Sequence, residues 1–114
     1  MEIRAFQDWV ENWDRERGWD RVLVVHTLAH ATEELGEIAR AILRCDHYKP
    51  SHSNEATQTE LSEELADLFV FLFKIAYQCG IDMDEALRNV QAKVDARFPD
   101  TVEANEEVER YLQK

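Results

Sequence analysis

Glycine, proline and cysteine are all scarce in this chain. Its 114 residues include three glycines, two prolines and two cysteines. Cys45 and Cys79 are too few for a disulfide scaffold, and their spacing matches no zinc pattern. They are expected to be reduced thiols in a cytoplasmic protein. No glycine-rich stretch is present to cradle a phosphate with backbone amides. Basic residues are in deficit: 13 against 24 acidic ones, for a net charge of −11. That balance argues against a surface for DNA, RNA or anionic membranes. It leaves open an anionic ligand that arrives with a divalent cation, because the ion inverts the local charge logic. Long apolar runs are missing too. The longest, Leu68 to Phe73, is far too short to cross a bilayer. Met1-Glu2-Ile3-Arg4 is not followed by the apolar stretch of a secretory leader, so none is expected.

What is present is helical periodicity. The length suits one domain over residues 1–114, burying roughly two thirds of the surface of the unfolded chain. Phe6, Trp9, Val10 and Trp13 recur at helical spacing and predict a helix over 3–16, with Trp9 and Trp13 in the core. Gly18 ends it, and Trp19 and Asp20 follow in a connector. Residues 21–44 read as a long helix with an apolar stripe of Val24, Leu28, Ala31, Leu35, Ile38 and Ile42. Residues 45–58, with Pro50, read as a loop. A second long helix is expected over 59–79, with Gln58 or Thr59 near its start. Its stretch 65–77 is apolar almost all round, so it needs cover on every face. A small helical monomer cannot supply that cover, which predicts a homodimer or homotetramer. Gly80 stops the helix. Asp82 with Glu85 resembles a capping box and opens a helix over 83–98. Its expected buried stripe is Met83, Ala86, Leu87, Val90, Val94 and Phe98. Pro99 ends it, and an acidic helix over 101–112 closes the chain. The fold class is therefore all-α, a bundle of four to five helices.

Two acidic motifs stand on the two long helices. Glu33-Glu34-Leu35-Gly36-Glu37 lies on the first and Glu64-Leu65-Ala66-Asp67 on the second. Glu34 and Glu37 are placed on one flank of the apolar stripe, with Glu33 further round toward the polar face. Glu33/Glu37 and Glu60/Glu64 are like-charge pairs that cost each helix a few tenths of a kcal/mol. Bringing the two sets together costs more unless a cation or protons neutralise them. Hard carboxylate oxygens suit Mg²⁺ or Mn²⁺. A di-iron bundle needs Glu-x-x-His motifs, and no glutamate here is followed by histidine three residues later. His26 and His30 are one turn apart on the same general side as the acids, open to a polar or packing role or to contact with substrate or a metal-bound water.

Together, Glu33-Glu34-x-x-Glu37 and Glu64-x-x-Asp67 resemble the EExxE…ExxD signature of the MazG-like nucleoside triphosphate pyrophosphohydrolases, an all-α family. The similarity covers residues 22–98. It takes in His26-x-Leu28, Glu63 to Phe69, Gly80 to Leu87, and Lys93-x-x-x-Arg97-Phe98. The segment Glu16-Arg17-Gly18-Trp19-Asp20 resembles the part of dCTP- and dUTP-directed relatives that supplies an aromatic near the base.

The resemblance implies hydrolysis of a nucleoside triphosphate between the α and β phosphates, giving a monophosphate and pyrophosphate. It implies Glu34, Glu37, Glu64 and Asp67 as Mg²⁺ ligands. Glu33 is implied as an outer carboxylate that orients or deprotonates the attacking water, or holds an extra metal. Lys93 and Arg97 are implied to meet the phosphates. Glu33, Glu34 and Lys93 would then be catalytic, with Trp19, His26, Gln91 and Phe71 as further substrate contacts. Two positions depart from the family pattern. Gln91 stands where an asparagine is common, and Phe71 where pyrimidine-directed relatives often carry tyrosine. Two other readings stay in view: a phosphoribosyl-ATP pyrophosphohydrolase, and a helical regulatory or binding protein without enzymatic activity.

Overall fold

The computed structural model describes residues 1–44 and 55–113, without the side chains of Glu55 and Ala56. Every regular element among the described residues is helical. α1 spans Ile3–Arg17, α2 Val24–Leu43, α3 Glu55–Gln78, α4 Met83–Arg97 and α5 Thr101–Leu112, with one 3-10 turn at Trp19–Arg21. The all-α expectation holds, with five α-helices among the described residues. α3 starts at Glu55, so neither Gln58 nor Thr59 begins it. Positions 45–54 of the expected loop, with Cys45 and Pro50, lie outside the described residues. No described helix is long and apolar enough to cross a membrane.

The helices divide into two units, Met1–Met83 and Asp84–Lys114. In the first, α1 ends at Gly18, whose φ of 74° lies in the left-handed region. Its N–H returns to the carbonyl of Arg15. Glycine is required there by conformation; a Cβ would also come within 2.6 Å of Arg21 Nη2, the end of a flexible side chain that can swing aside. At its other end α1 grips the turn after α3. Arg4 pairs with Asp82 at 2.7 Å. The Gln7 side chain donates to the Ile81 carbonyl and accepts from the Met83 N–H.

α2 and α3 run antiparallel, because their contacts step in opposite directions along the chain. Thr27 Oγ1 donates to Gln78, His30 stacks on Phe71, and Arg44 reaches Glu60. The buried line of α2 is Thr27, Ala31, Ile38 and Ala41. This corrects the expected stripe. Val24, Leu28, Leu35 and Ile42 are exposed, and only Ala31 and Ile38 of that stripe are covered. Ala31 and Ala41 are buried on α2, while the larger Leu28 and Leu35 are exposed. On α3 the half-buried Leu61, Glu64, Leu68, Phe71, Ile75 and Gln78 share one face at steps of three and four, and from it Glu64, Phe71 and Gln78 meet α2. Leu65, Phe69 and Leu72, on the same helix, remain exposed.

The aromatic residues of α1 also differ from expectation. Trp9 and Trp13 are half exposed rather than core. They form a ladder in which Phe6 stacks on Trp9, Trp9 meets Trp13, and the Arg17 guanidinium lies 3.4 Å over the Trp13 ring. The side of α1 that enters the core carries Val10 and, unexpectedly, Asp14. Asp14 is met by Lys74 at 3.2 Å and by the Tyr77 hydroxyl at 2.5 Å. The Lys74 ammonium also donates to the Trp19 carbonyl at 3.1 Å. Gln78 donates to the Val22 carbonyl at 2.6 Å. Two polar side chains of α3 thus hold the connector between α1 and α2 by its main chain. Burial, then the hydrogen bond to Asp14, pushes the Tyr77 phenol upward, which keeps it a donor. A charged residue inside an apolar run, Lys74, was the visible signal for this network.

In the second unit, Asp100 caps α5 by accepting from the Glu103 N–H at 3.0 Å. The stripe expected to be buried on α4 is not: Leu87, Val90, Val94 and Phe98 are exposed, while Met83 and Ala86 are half-buried. Apolar spacing marks the face a helix is able to bury and does not by itself supply a neighbour. Val102, Val108, Tyr111 and Leu112 of α5 are exposed as well.

Candidate metal centre

Glu34 occupies the middle of the buried line of α2, between Ala31 and Ile38, rather than its flank. One turn of α3 presents Glu64 and Asp67 opposite it. Each of the three carboxylates offers an oxygen, and these oxygens lie within 4.8 Å of one another. Among the described residues this is the one such group of three or more potential ligands. Glu34 Oε2 is buried and has no hydrogen-bond partner. A buried carboxylate oxygen without a donor is costly unless a proton or a cation meets it.

The electrostatics agree. The Glu34 carboxyl is raised from its ordinary 4.5 to about 7. The largest cause is a hydrogen bond with Glu64, followed by burial and by the charges of Glu64, Asp67 and Glu37. At neutral pH the Glu34 carboxyl therefore keeps its proton in part, and a cation would displace it. The donors are all hard oxygens, as Mg²⁺ and Mn²⁺ require. The residues present fit such an ion.

The remaining residues singled out by sequence are placed as follows. Glu37 stays outside the group of three; one turn beyond Glu34, it lies 3.7 Å from Arg40. Glu33 points outward, with its side chain 73% exposed. Basic partners are thus nearer than the like-charge spacing suggested. Arg44 makes two hydrogen bonds to Glu60, at 2.8 and 2.9 Å, across the ends of α2 and α3. Phe71 is half-buried one turn after Asp67. Trp19 is exposed in the 3-10 turn, His26 exposed on α2. Gln91, Lys93 and Arg97 are exposed on α4, in the second unit, where the Arg97 guanidinium lies 5.2 Å over the Phe98 ring. Sequence reasoning left His30 open; its ring lies against Phe71.

Antiparallel helices that bring three carboxylates together around a buried, unpartnered oxygen define a helical protein with a candidate divalent-metal centre. Residues 25–102 match the family described as the MazG nucleotide pyrophosphohydrolase domain, and the chain belongs to that family. Among relatives, a Bacillus subtilis (strain 168) protein carrying the name "Uncharacterized protein YvdC" is 26% identical over 103 residues. That similarity covers 86% of this chain and 97% of the relative. Membership, together with the carboxylate group, assigns the chain a hydrolytic function of the nucleotide pyrophosphohydrolase type.

Proposed function

We propose that the chain is a Mg²⁺-dependent nucleoside triphosphate pyrophosphohydrolase that cleaves the α–β phosphoanhydride of an NTP or dNTP. The products are the monophosphate and pyrophosphate. The observation that carries this reading is the convergence of Glu34, Glu64 and Asp67 around an oxygen with no partner. These three, joined by Glu37, would hold the ion. When bound, a divalent cation supplies Lewis-acid polarisation of phosphoryl oxygens and acidifies water. Mn²⁺ is an acceptable substitute for the same oxygen donors.

The chain's own residues do the rest. Glu33, exposed beside the group, orients the attacking water and accepts its proton. Lys93 and Arg97 neutralise charge on the transferring and leaving phosphates. Trp19, His26 and Gln91 contact the nucleotide, and Phe71 lines the same substrate site. The family match spans both structural units, which supports treating residues 1–114 as one functional domain. The exposed line Leu65, Phe69 and Leu72 supports self-association, as a homodimer or homotetramer. The free, exposed Cys79 is compatible with a cytoplasmic setting.

The test is pyrophosphate release from the standard nucleoside triphosphates, several damaged ones and phosphoribosyl-ATP, with and without Mg²⁺. Metal-dependent release of pyrophosphate and monophosphate is expected, with loss of turnover in Glu37→Gln. Full activity in that variant would falsify the ligand set. Turnover confined to phosphoribosyl-ATP would replace the substrate class. No turnover of any of them would return the chain to a binding role.

A further inference from the structure

Next to the carboxylates stands a pair of rings that the metal chemistry does not use. His30 lies one turn before Glu34 on α2, and Phe71 one turn after Asp67 on α3. Because the helices are antiparallel, both steps lead in the same direction from the acids. Each step is four residues, or about 6 Å along a helix axis. The two rings meet there, with centroids 5.5 Å apart and planes 21° from parallel, an offset stack.

The stack is asymmetric. Phe71 is half-buried and belongs to the α3 face that packs on α2. His30 lies against it yet keeps 55% of its side-chain surface exposed. Packing alone gives little reason for a ring to lie parallel on Phe71 at so open a position. The nearest charge, Glu33 Oε2, is 3.8 Å from His30 Nδ1, too long for a hydrogen bond that would fix the ring. His30 belongs to no group of potential metal ligands among the described residues. Phe71 carries no polar atom. What the pair offers is therefore an aromatic surface backed by a second ring, one helical turn from the carboxylates.

We propose that His30 is the stacking platform for the nucleoside end of the substrate, with its ring held flat by Phe71 behind it. The proposal rests on the nucleotide reading above, and it names the residue that separates nucleotides from bare polyphosphates. With phosphates at the acids, a displacement of about one turn is the span of the sugar and the near edge of the base. A ring face accepts any base by stacking, so His30 contributes affinity for the nucleoside more than choice among bases.

The experiment uses the full chain with saturating Mg²⁺. His30→Ala and His30→Phe are compared with wild type for KM and kcat on each dNTP. Inorganic tripolyphosphate serves as a competitive inhibitor without a base. His30→Ala should raise KM about tenfold or more, the usual consequence of removing one aromatic partner from a stacked base. The inhibition constant of tripolyphosphate should not move, and His30→Phe should return KM to near the wild-type value. An unchanged KM in His30→Ala, a parallel change for tripolyphosphate, or no rescue by phenylalanine each overturns the proposal. These outcomes leave the pyrophosphohydrolase reading intact. If wild type releases no pyrophosphate from any nucleotide while Mg²⁺ still stabilises the fold, the enzymatic reading fails, and the role of His30 with it.

Discussion

Replacing Glu34 by glutamine should stabilise the metal-free protein at alkaline pH and destabilise it relative to wild type once Mg²⁺ is added. In the folded chain the Glu34 carboxyl stays protonated up to about 7, against an ordinary 4.5. The sign follows from linkage. Below about 4.5 the carboxyl is protonated in both folded and unfolded chains and contributes nothing. As pH rises from there through about 7, the unfolded chain gives up its proton first, and the folded state loses stability. Each tenfold change in ionisation is about 1.4 kcal/mol, so the full loss is bounded near 3 kcal/mol. Asp67 is exposed and solvent reaches the group, which reduces the figure to about 1–2 kcal/mol. Glutamine is close in shape, retains a hydrogen-bond donor toward Glu64 and never ionises.

Urea denaturation in EDTA should therefore show Glu34→Gln near wild type at about pH 5 and more stable by about 1–2 kcal/mol at about pH 8.5. Mg²⁺ at a hundred times its dissociation constant stabilises wild type by about 2.7 kcal/mol through mass action. The variant, short of a charged ligand, should gain far less, so the order reverses. A variant less stable than wild type in EDTA at the higher pH, or one stabilised equally by Mg²⁺, refutes the picture of a proton held where a cation belongs.

Three other outcomes follow from the same structure. Lys74→Met should cost about 3 kcal/mol, since it leaves buried Asp14 with Tyr77 alone and takes the donor from the Trp19 carbonyl; a change below about 1 kcal/mol in chemical denaturation would count against a buried ion pair. Gly18→Ala should cost about 1–2 kcal/mol for the left-handed backbone, since the Arg21 side chain can move aside, and thermal melting measures the loss. Sedimentation of the purified chain should find a dimer or tetramer, and Phe69→Glu should shift it toward monomer; a wild-type monomer at micromolar concentration would remove the oligomer proposal.

The acidic motifs and the helices that carry them were legible in the sequence. Three-residue spacing puts Glu34 with Glu37, and Glu64 with Asp67, on shared helix faces whatever the tertiary fold. Helix stops at Gly18, Gly80 and Pro99 were also local facts, because a left-handed backbone or a missing N–H acts where it stands. Less legible was which side of α2 would be inside. Leu28 and Leu35 look like core by hydropathy, but the covered line runs through Thr27, Ala31, Glu34 and Ile38. Close helix packing favours small side chains on the seam, and periodicity alone cannot weigh size against hydropathy. Trp9 and Trp13 were misplaced for a related reason: large aromatics spread over a surface when their neighbours are other aromatics and an arginine.

Sequence by itself determined the composition of the site: which carboxylates exist, their spacing and the absence of the Glu-x-x-His ligands of di-iron bundles. Tertiary structure decided what those residues became. Glu34 became a carboxyl that holds its proton to near neutrality because Glu64 and Asp67 arrive from another helix. His30 became half of a ring stack because Phe71 lies across the seam, and Asp14 became a buried anion because Lys74 reaches it from α3. The physical reason is common to all three. Spacing along a helix is set by the backbone, whereas a pKa, a stack or an ion pair depends on distances between helices.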